Sequence, residues 1–248
     1  MPGRFKTAFS FLTVIPLFKP EMVKSEELGR SISAFPLVGA ALGLLMAVLH
    51  LFITSRLPSM LEGALLTAFL FWVTGGLHMD GVADTADGLM SGKNPERALE
   101  IMKDSRTGAH GAAAVTLVIL AKAAAIGYLP AEMKLSALLA VPAIARGTMA
   151  YMAYQATYAR PGGGLGTPFT EFVDDATLYK ALGLAALISL AAGLSGLVAF
   201  VVTWGWVALL KNRFHSKLGG ITGDLLGFTV ETGEIAALVA LHIISYGG

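Results

Sequence analysis

Three aspartates stand four and three residues apart in a glycine-rich stretch that runs from Gly75 to Gly88. On a helix, this spacing places Asp80, Asp84 and Asp87 within about 60° of one another around the axis. Like charges four residues apart repel each other and destabilise a helix, so a cation is the simplest compensation. Oxygen ligands in a chain without cysteine favour magnesium or manganese over zinc. The alternative is a solvated acidic helix end at a membrane surface.

A basic segment follows the aspartates and leads into an apolar run. Lys103 and Arg106 have cationic groups that suit phosphate oxygens, and the planar guanidinium can donate two parallel hydrogen bonds. Asp104 between them is a further candidate metal ligand. His78 and His110 adjoin the two motifs and are candidates to donate to phosphate or to transfer protons. The alternatives are a basic anchor at the membrane interface and ordinary polar packing of the histidines.

A glycine-rich turn near the C-terminus carries Asp224 and opens the last apolar run. Such a turn at a helix start can hold an anion on its backbone N–H groups. Glu231 lies seven residues after Asp224, on the same helix face, and Glu234 follows it. Ionisable groups inside a membrane are costly and face the protein interior or water. For both glutamates two expectations stay open, namely substrate binding or pairing with the basic residues Lys122 and Arg146 of other apolar runs.

A second glycine-rich loop begins at Arg160 and ends at Gly166. It does not match the dinucleotide-binding fingerprint and follows no predicted strand, so a Rossmann domain is excluded. A lid or a phosphate contact through Arg160 and a plain helix connection both remain open.

Composition places these motifs in a membrane protein. Of 248 residues, 55% are hydrophobic and 14% are charged, whereas a soluble domain has about 25% charged residues. The 18 Lys and Arg nearly balance the 17 Asp and Glu, so no nucleic-acid partner is expected. A membrane-spanning helix needs about 20 apolar residues. Five runs approach that length: 33–53, 60–78, 109–129, 135–154 and 225–246.

A further uncharged run, 181–210, forms either one long tilted helix or, with a break at 193–196, two shorter helices. Two helices put the C-terminus outside and most basic residues inside, which is the distribution that membrane proteins prefer. The outside segments then hold only Arg56 and Lys134. The inside segments hold Arg4, Lys6, Lys19, Lys24, Arg30, Lys93, Arg97, Lys103, Arg106, Arg160, Lys180, Lys211, Arg213 and Lys217.

The predicted fold is therefore an all-α integral membrane bundle in a single domain, 1–248. We expect about seven transmembrane helices, or six if 181–210 is one span.

In this topology the motifs all fall at or near cytoplasmic helix ends. Carboxylates, basic residues and glycine turns then meet on one side of the membrane. Metal-assisted transfer of a phosphate group needs this combination, because a cation and basic groups offset the negative charge while the protein orients the acceptor hydroxyl.

Several separated segments carry a resemblance to a known family, in the expected order along nearly the whole chain. They are 9–13 with Pro16, 35–39, 75–88, 103–106, 162–166 and 219–227. Together they resemble the cobalamin synthase family, adenosylcobinamide-GDP ribazoletransferase. The resemblance implies that adenosylcobinamide-GDP is joined to α-ribazole, or its 5′-phosphate, to give adenosylcobalamin or its 5′-phosphate and GMP. It also implies a magnesium-dependent, multi-pass enzyme of the bacterial or archaeal inner membrane, with its active site facing the cytoplasm.

The resemblance and the residue chemistry together assign roles. The metal ligands are expected to be Asp80, Asp84, Asp87 and Asp104. The catalytic residues are expected to be Asp84, Asp87 and Arg106, with Asp87 preferred as the group that takes the proton of the attacking hydroxyl. The substrate-binding residues are expected to be His78, Lys103, His110, Arg160, Asp224 and Glu231. Besides the two substrates and the lipid bilayer, self-association or association with other cobalamin-assembly enzymes stays open.

Two other functions compete with this one. A membrane CDP-alcohol phosphotransferase uses similar carboxylate chemistry, but its signature has an Ala-Arg pair after an Asp-Gly pair. Here Asp80-Gly81 is followed by Ala83-Asp84, so that arginine is missing. A cation-coupled transporter would explain the charges inside the apolar runs, but not the aspartates beside Lys103 and Arg106.

Overall fold

The computed structural model describes residues 2–19, 21–92 and 94–247, and the predicted all-α fold is confirmed in these ranges. Lys93, one of the basic residues expected inside, lies outside them. Beyond an isolated bridge between Tyr158 and Ile221, the described regular structure is helical. The α-helices are α1 (Pro2–Leu12), α2 (Ser25–Ser31), α3 (Phe35–Ile53), α4 (Ser59–Val73), α5 (Leu77–Met90), α6 (Pro95–Ile101), α7 (Ala109–Gly127), α8 (Ala131–Ala153), α9 (Thr167–Phe172), α10 (Asp175–Ser189), α11 (Gly193–Leu218) and α12 (Gly223–Gly247).

Five helical stretches are long and apolar enough to cross a membrane, and a sixth arises if α4 and α5 are taken together. Because α4 and α5 are bent by 95° at their junction and α5 carries three aspartates, we assign α5 to the membrane face. The stretch that contains α2 and α3 begins at Ser25, earlier than the predicted start at residue 33.

The stretch Asp175–Leu218 counts as one of the five, yet it contains two helices. A continuous helix of 44 residues would be about 66 Å long, twice the thickness of a bilayer core. A Cβ on Gly196 would lie 1.9 Å from the carbonyl oxygen of Ser189, so the chain turns back on itself there. Gly193, with φ of +62°, lies in this turn. The predicted pair of helices is therefore present, with its break at 190–193 rather than 193–196.

Helix α8 lies at the centre of the bundle, and residues Ala140 to Ala150 are all buried. Helix α3 approaches it through glycines, since a Cβ on Gly39 or Gly43 would lie within 2.4 Å of a carbonyl oxygen of α8. Helices α4 and α7 cross in the same way at Gly63. Lipid gives no hydrophobic force between helices, so small residues that permit close contact are what hold such a bundle together.

A cluster of four charged side chains joins α7, α8 and α12 inside the apolar bundle. Lys122 contacts Glu231 at 2.7 Å and Glu234 at 2.5 Å, and Arg146 contacts Glu234 at 2.7 Å. All four side chains are at most 7% exposed, and two cations face two anions. Of the two expectations for the glutamates, this geometry supports pairing with Lys122 and Arg146.

Candidate active site

A sharp bend between α4 and α5 sets the direction of the aspartate helix. Gly75 and Gly76 have φ of +61° and +69°, a left-handed conformation that glycine adopts without a Cβ clash. Their backbone N–H groups close the end of α4 by donating to carbonyls of Trp72 and Phe71. The glycine pair of the sequence motif thus turns the chain so that α5 leaves α4 at 95°.

The first turns of α5 cross the start of α12 at a glycine. A Cβ on Gly81 would lie only 2.5 Å from the carbonyl oxygen of Asp224, so a larger residue cannot occupy that position without displacing α12. This close crossing brings Asp224, far away in the sequence, to the face of α5 that carries Asp80 and Asp84. The smaller of the two cavities beside α5 is accordingly lined by both Asp80 and Asp224.

The charges of these carboxylates act on one another. Burial, and then the charges of Asp224 and Asp80, raise the pKa of Asp84 from 3.8 to about 7, against an opposing effect of Arg160. Asp87 contributes in the same direction but less. A carboxylate surrounded by others favours its protonated form unless a cation is present. The group formed by Asp80, Asp84 and Asp224 is called the aspartate group below.

Arg160 is held against this group by a short backbone pairing. The N–H of Ile221 donates to the carbonyl of Thr157 at 2.9 Å, and the N–H of Ala159 donates to the carbonyl of Ile221 at 2.8 Å. The next residue, Arg160, then forms an ion pair with Asp224 and donates to the carbonyl of Met102 at 3.0 Å. The Arg160 guanidinium thus links the glycine-rich loop to the C-terminal end of α6 and to the N-terminal end of α12.

Asp87 holds the start of α7. Its two carboxylate oxygens accept hydrogen bonds from the backbone N–H groups of Gly108, at 2.7 Å, and Gly111, at 2.8 Å. A negative charge is stabilised at a helix N-terminus, where N–H groups lack partners within the helix. A larger residue at either position would displace the carboxylate, since either Cβ would lie within 2.5 Å of it. Asp87 therefore has a structural contact, and its predicted catalytic and metal roles stay predictions.

The basic segment between α6 and α7 forms an exposed edge near the aspartate group. Arg106 donates to Asp104 through its guanidinium, with a shortest distance of 2.6 Å, and these hydrogen bonds lower the pKa of Asp104 to about 2. The Arg106 side chain is 88% exposed. Lys103 and His110 are also exposed. No described contact joins these residues to the aspartate group, so their roles as catalytic, metal-binding or substrate-binding residues stay predictions.

The structure buries two other predicted substrate-binding residues. Glu231 is occupied by Lys122. His78, at the start of α5, is 2% exposed. Among the described residues neither of its ring nitrogens has a hydrogen-bond partner. His78 lines the same cavity as Asp80 and Asp224, which keeps it beside the site.

The aspartate group supplies the donor type that a magnesium ion requires. In the described part of the chain, no three His, Asp or Glu side chains, those of the aspartate group included, lie close enough together to hold a metal ion between them. Two features nevertheless fit a divalent cation, namely all-oxygen donors and the burial and mutual repulsion that together raise the pKa of Asp84. Water and phosphate oxygens usually complete the shell of magnesium, so a partial protein shell is compatible with it.

Two cavities meet at Asp80. The larger, of about 670 Å³, lies between α1, the α4–α5 bend, α5 and α7, and it is also lined by Thr107 of the basic segment. The smaller, of about 110 Å³, lies between α5, α8, α12 and the glycine-rich loop. Phe11, Leu77 and Asp80 line both. Sequence reasoning missed Phe11, Met149 and Phe169 as site residues, because nothing but their place in the fold distinguishes them from other apolar residues.

Comparison with known proteins identifies the family. A family model described as cobalamin-5-phosphate synthase matches residues 4–242. A relative from Syntrophobacter fumaroxidans is 42% identical over 97% of this chain and 98% of its own length. One from Escherichia coli K12 is 37% identical over 97% and 100%, and one from Pseudomonas paraeruginosa is 39% identical over 95% and 96%. All three relatives are named adenosylcobinamide-GDP ribazoletransferase. No solved structure matches the chain. With its family model covering nearly all residues and such relatives matching end to end, the chain belongs to the cobalamin-5-phosphate synthase family.

Proposed function

We propose that this protein joins adenosylcobinamide-GDP to α-ribazole, or its 5′-phosphate, and releases GMP, a late step of cobalamin biosynthesis. The observation that carries the proposal is the end-to-end similarity to relatives with that named activity. The aspartate group beside Arg160 supports it independently, since its member Asp80 lines both cavities. When one substrate attacks the diphosphate of another, the site needs acidic and basic side chains beside a cavity that holds both substrates.

In the proposed reaction a ribazole hydroxyl oxygen attacks the phosphorus attached to cobinamide. The new P–O bond forms as the bond from that phosphorus to the bridging oxygen of GMP breaks. A carboxylate takes the hydroxyl proton, and the departing GMP keeps the bridging oxygen and its electron pair. Asp84 is our candidate for that carboxylate, because it lies among the charges of Asp80 and Asp224 and no described hydrogen bond occupies its oxygens. Arg160 is the nearest cation of the site and would bind phosphate oxygens once released from Asp224.

We further propose that the aspartate group holds magnesium, with Asp80, Asp84 and Asp224 as ligands. When bound, such an ion neutralises diphosphate charge and weakens the bond to the leaving group. Asp87 positions α7 in this arrangement, and Asp104 orients Arg106 at the exposed edge.

The site is proposed to face the cytoplasm of a bacterial or archaeal cell, across its inner membrane. The distribution of basic residues supports this orientation, because the loops at the site end hold most Lys and Arg. Both substrates would then reach the site without crossing the membrane.

The deciding experiment measures GMP release and cobalamin formation by detergent-purified, lipid-supplied protein given adenosylcobinamide-GDP and α-ribazole. We expect both products with magnesium and neither with EDTA, with recovery on adding magnesium back. Product formation that persists in EDTA would overturn the magnesium proposal alone. A folded protein that makes no product under any condition would overturn the proposed reaction, and cation-dependent uptake into vesicles would then favour a transporter.

A further inference from the structure

A third cavity, of about 240 Å³, shares no lining residue with the two cavities at Asp80. Helix α3 leads into α4, which returns to the bend beside the site, and α10 follows the glycine-rich loop. Both helices therefore begin at the end of the bundle that carries the site. The lining residues come from α1, the link between α2 and α3, α3 itself and α10: Arg4, Ser33, Ala34, Leu37, Lys180 and Leu184.

Two cations at this cavity have no anionic partner. Among the described residues, no carboxylate lies within 4.0 Å of a side-chain nitrogen of Arg4 or Lys180. Arg4 is half-buried, and one of its guanidinium nitrogens donates to the hydroxyl of Ser33 at 3.3 Å, which holds the side chain at the cavity. The rest of the guanidinium and the Lys180 ammonium can bind an anion through charge-assisted hydrogen bonds.

The acidic side chains of α2 and of the link before α10 contact other groups. Glu26 and Asp174 lie 3.3 and 4.0 Å from Arg30. Glu27 accepts a hydrogen bond from Thr7 at 3.2 Å. The two cations of the cavity therefore stay available to an anion from outside the chain.

The apolar wall of the cavity continues along both helices toward the middle of the bundle. On α3, Leu37 and Leu44 share a helix face, and on α10 Leu184 and Leu187 do the same. Leu44 is 57% exposed and Leu187 is 64% exposed, so both face lipid in a membrane. Cations beside such a wall match a molecule with an anionic head and apolar chains. A free phosphate ion would lose water at the wall without any gain from apolar contact.

We propose that this third cavity binds the phosphate group of an anionic phospholipid, with Arg4 and Lys180 at the phosphate and the acyl chains along α3 and α10. Basic pockets between membrane helices bind anionic head groups in this way. The cavity has room for roughly eight water molecules at about 30 Å³ each, so a phosphate with its glycerol fits. The bound lipid joins α1 to α3 and α10 and so stabilises the folded protein.

The unsubstituted protein, delipidated in detergent, tests this site directly. Dioleoyl phosphatidylglycerol should raise the Tm, because a ligand that binds only the folded state stabilises it, and native mass spectrometry should show one tightly retained copy. Dioleoyl phosphatidylcholine has the same chains but no net charge, and it should do neither. Inorganic phosphate should not displace the retained lipid. Displacement by inorganic phosphate, or equal retention of the two lipids, would overturn the proposal.

The double variant Arg4→Gln/Lys180→Gln removes both cations and should weaken phosphatidylglycerol binding about tenfold or more. Arg213→Gln/Lys217→Gln is the matched control, because it removes two exposed cations from the same end, in α11 and outside the cavity. It should bind the lipid like the unsubstituted protein. Lys180 is exposed, so Lys180→Gln alone leaves the fold intact and should weaken binding in the same direction. Equal binding by the two double variants would contradict the proposal, whether or not the protein carries out the proposed reaction.

Discussion

Asp84 and Asp87 lie one helical turn apart on α5, yet their surroundings differ. Asp87 uses both carboxylate oxygens to hold the start of α7. Asp84 is half-buried among other carboxylates, and no described hydrogen bond compensates for its charge. When no cation is bound, the charge of Asp84 therefore lowers the stability of the protein. Such an unfavourable charge is typical of a residue with a catalytic role.

Substituting Asp84 by Asn should abolish product formation while the Tm of the EDTA-treated protein stays the same or rises. The cause is the removal of one charge from a set of carboxylates that repel each other. Asp87→Asn should lower the Tm, because it weakens the hydrogen bonds at the start of α7 by about 1 kcal/mol. The measurements are turnover and thermal unfolding in detergent.

The control for this pair is Asp175→Asn, a change at an exposed aspartate in the first turn of α10. It should leave turnover unchanged. Full activity in a folded Asp84→Asn protein would show that Asp84 is neither a ligand nor a proton acceptor.

At the scale of helices, the site depends on how closely α5 and α12 cross. Gly81→Ala adds a methyl group 2.5 Å from the carbonyl oxygen of Asp224, so α12 must move away. We expect turnover to fall at least about tenfold, since small displacements of reacting groups are expensive.

The matched control is Gly205→Ala in α11, where an added Cβ meets no atom within 4 Å. Turnover by that variant should equal that of the unsubstituted protein. If Gly81→Ala is as active as Gly205→Ala, the close crossing does not position the aspartate group.

The buried charge cluster is a second element-scale feature with a measurable effect. Lys122→Met leaves two glutamates facing one arginine, and the loss of a buried partner costs about 3–5 kcal/mol. The double variant Lys122→Met/Glu231→Gln restores charge balance and should recover most of the Tm. Thermal unfolding followed by tryptophan fluorescence measures both. Equal Tm values for the single and the double variant would contradict the pairing.

The sequence predicts the helical class, the motif helices and the membrane setting, because these follow from local hydropathy and spacing. It also offers Lys122 and Arg146 as partners of the glutamates, since few other charges lie in apolar runs. It does not predict that Arg160 meets Asp224, because that contact depends on a backbone pairing between segments about 60 residues apart. Nor does the sequence predict that Asp84 and Asp87 have different surroundings. Both lie on the same face of α5, and only the contact of Asp87 with the start of α7 distinguishes them.

At the scale of the whole molecule, the orientation in the membrane can be measured directly. The chain has no cysteine, so each introduced cysteine is the only thiol. Ser105 lies in the exposed α6–α7 loop at the site end, and Ser55 lies in the exposed α3–α4 loop at the other end. In intact cells a membrane-impermeant maleimide should label Ser55→Cys, and should label Ser105→Cys only after permeabilisation. The reverse pattern would place the site outside.

The charge cluster also constrains how the protein is made. Lys122 and Glu231 are 109 residues apart, so α7 and α8 leave the ribosome well before the glutamates of α12 exist. Until then, Lys122 and Arg146 are cations in apolar segments without their partners, and each is costly to place in lipid. The last helix to be synthesised is thus the one that completes assembly. A nascent chain cut off before α12 carries two uncompensated charges, which marks it for quality control.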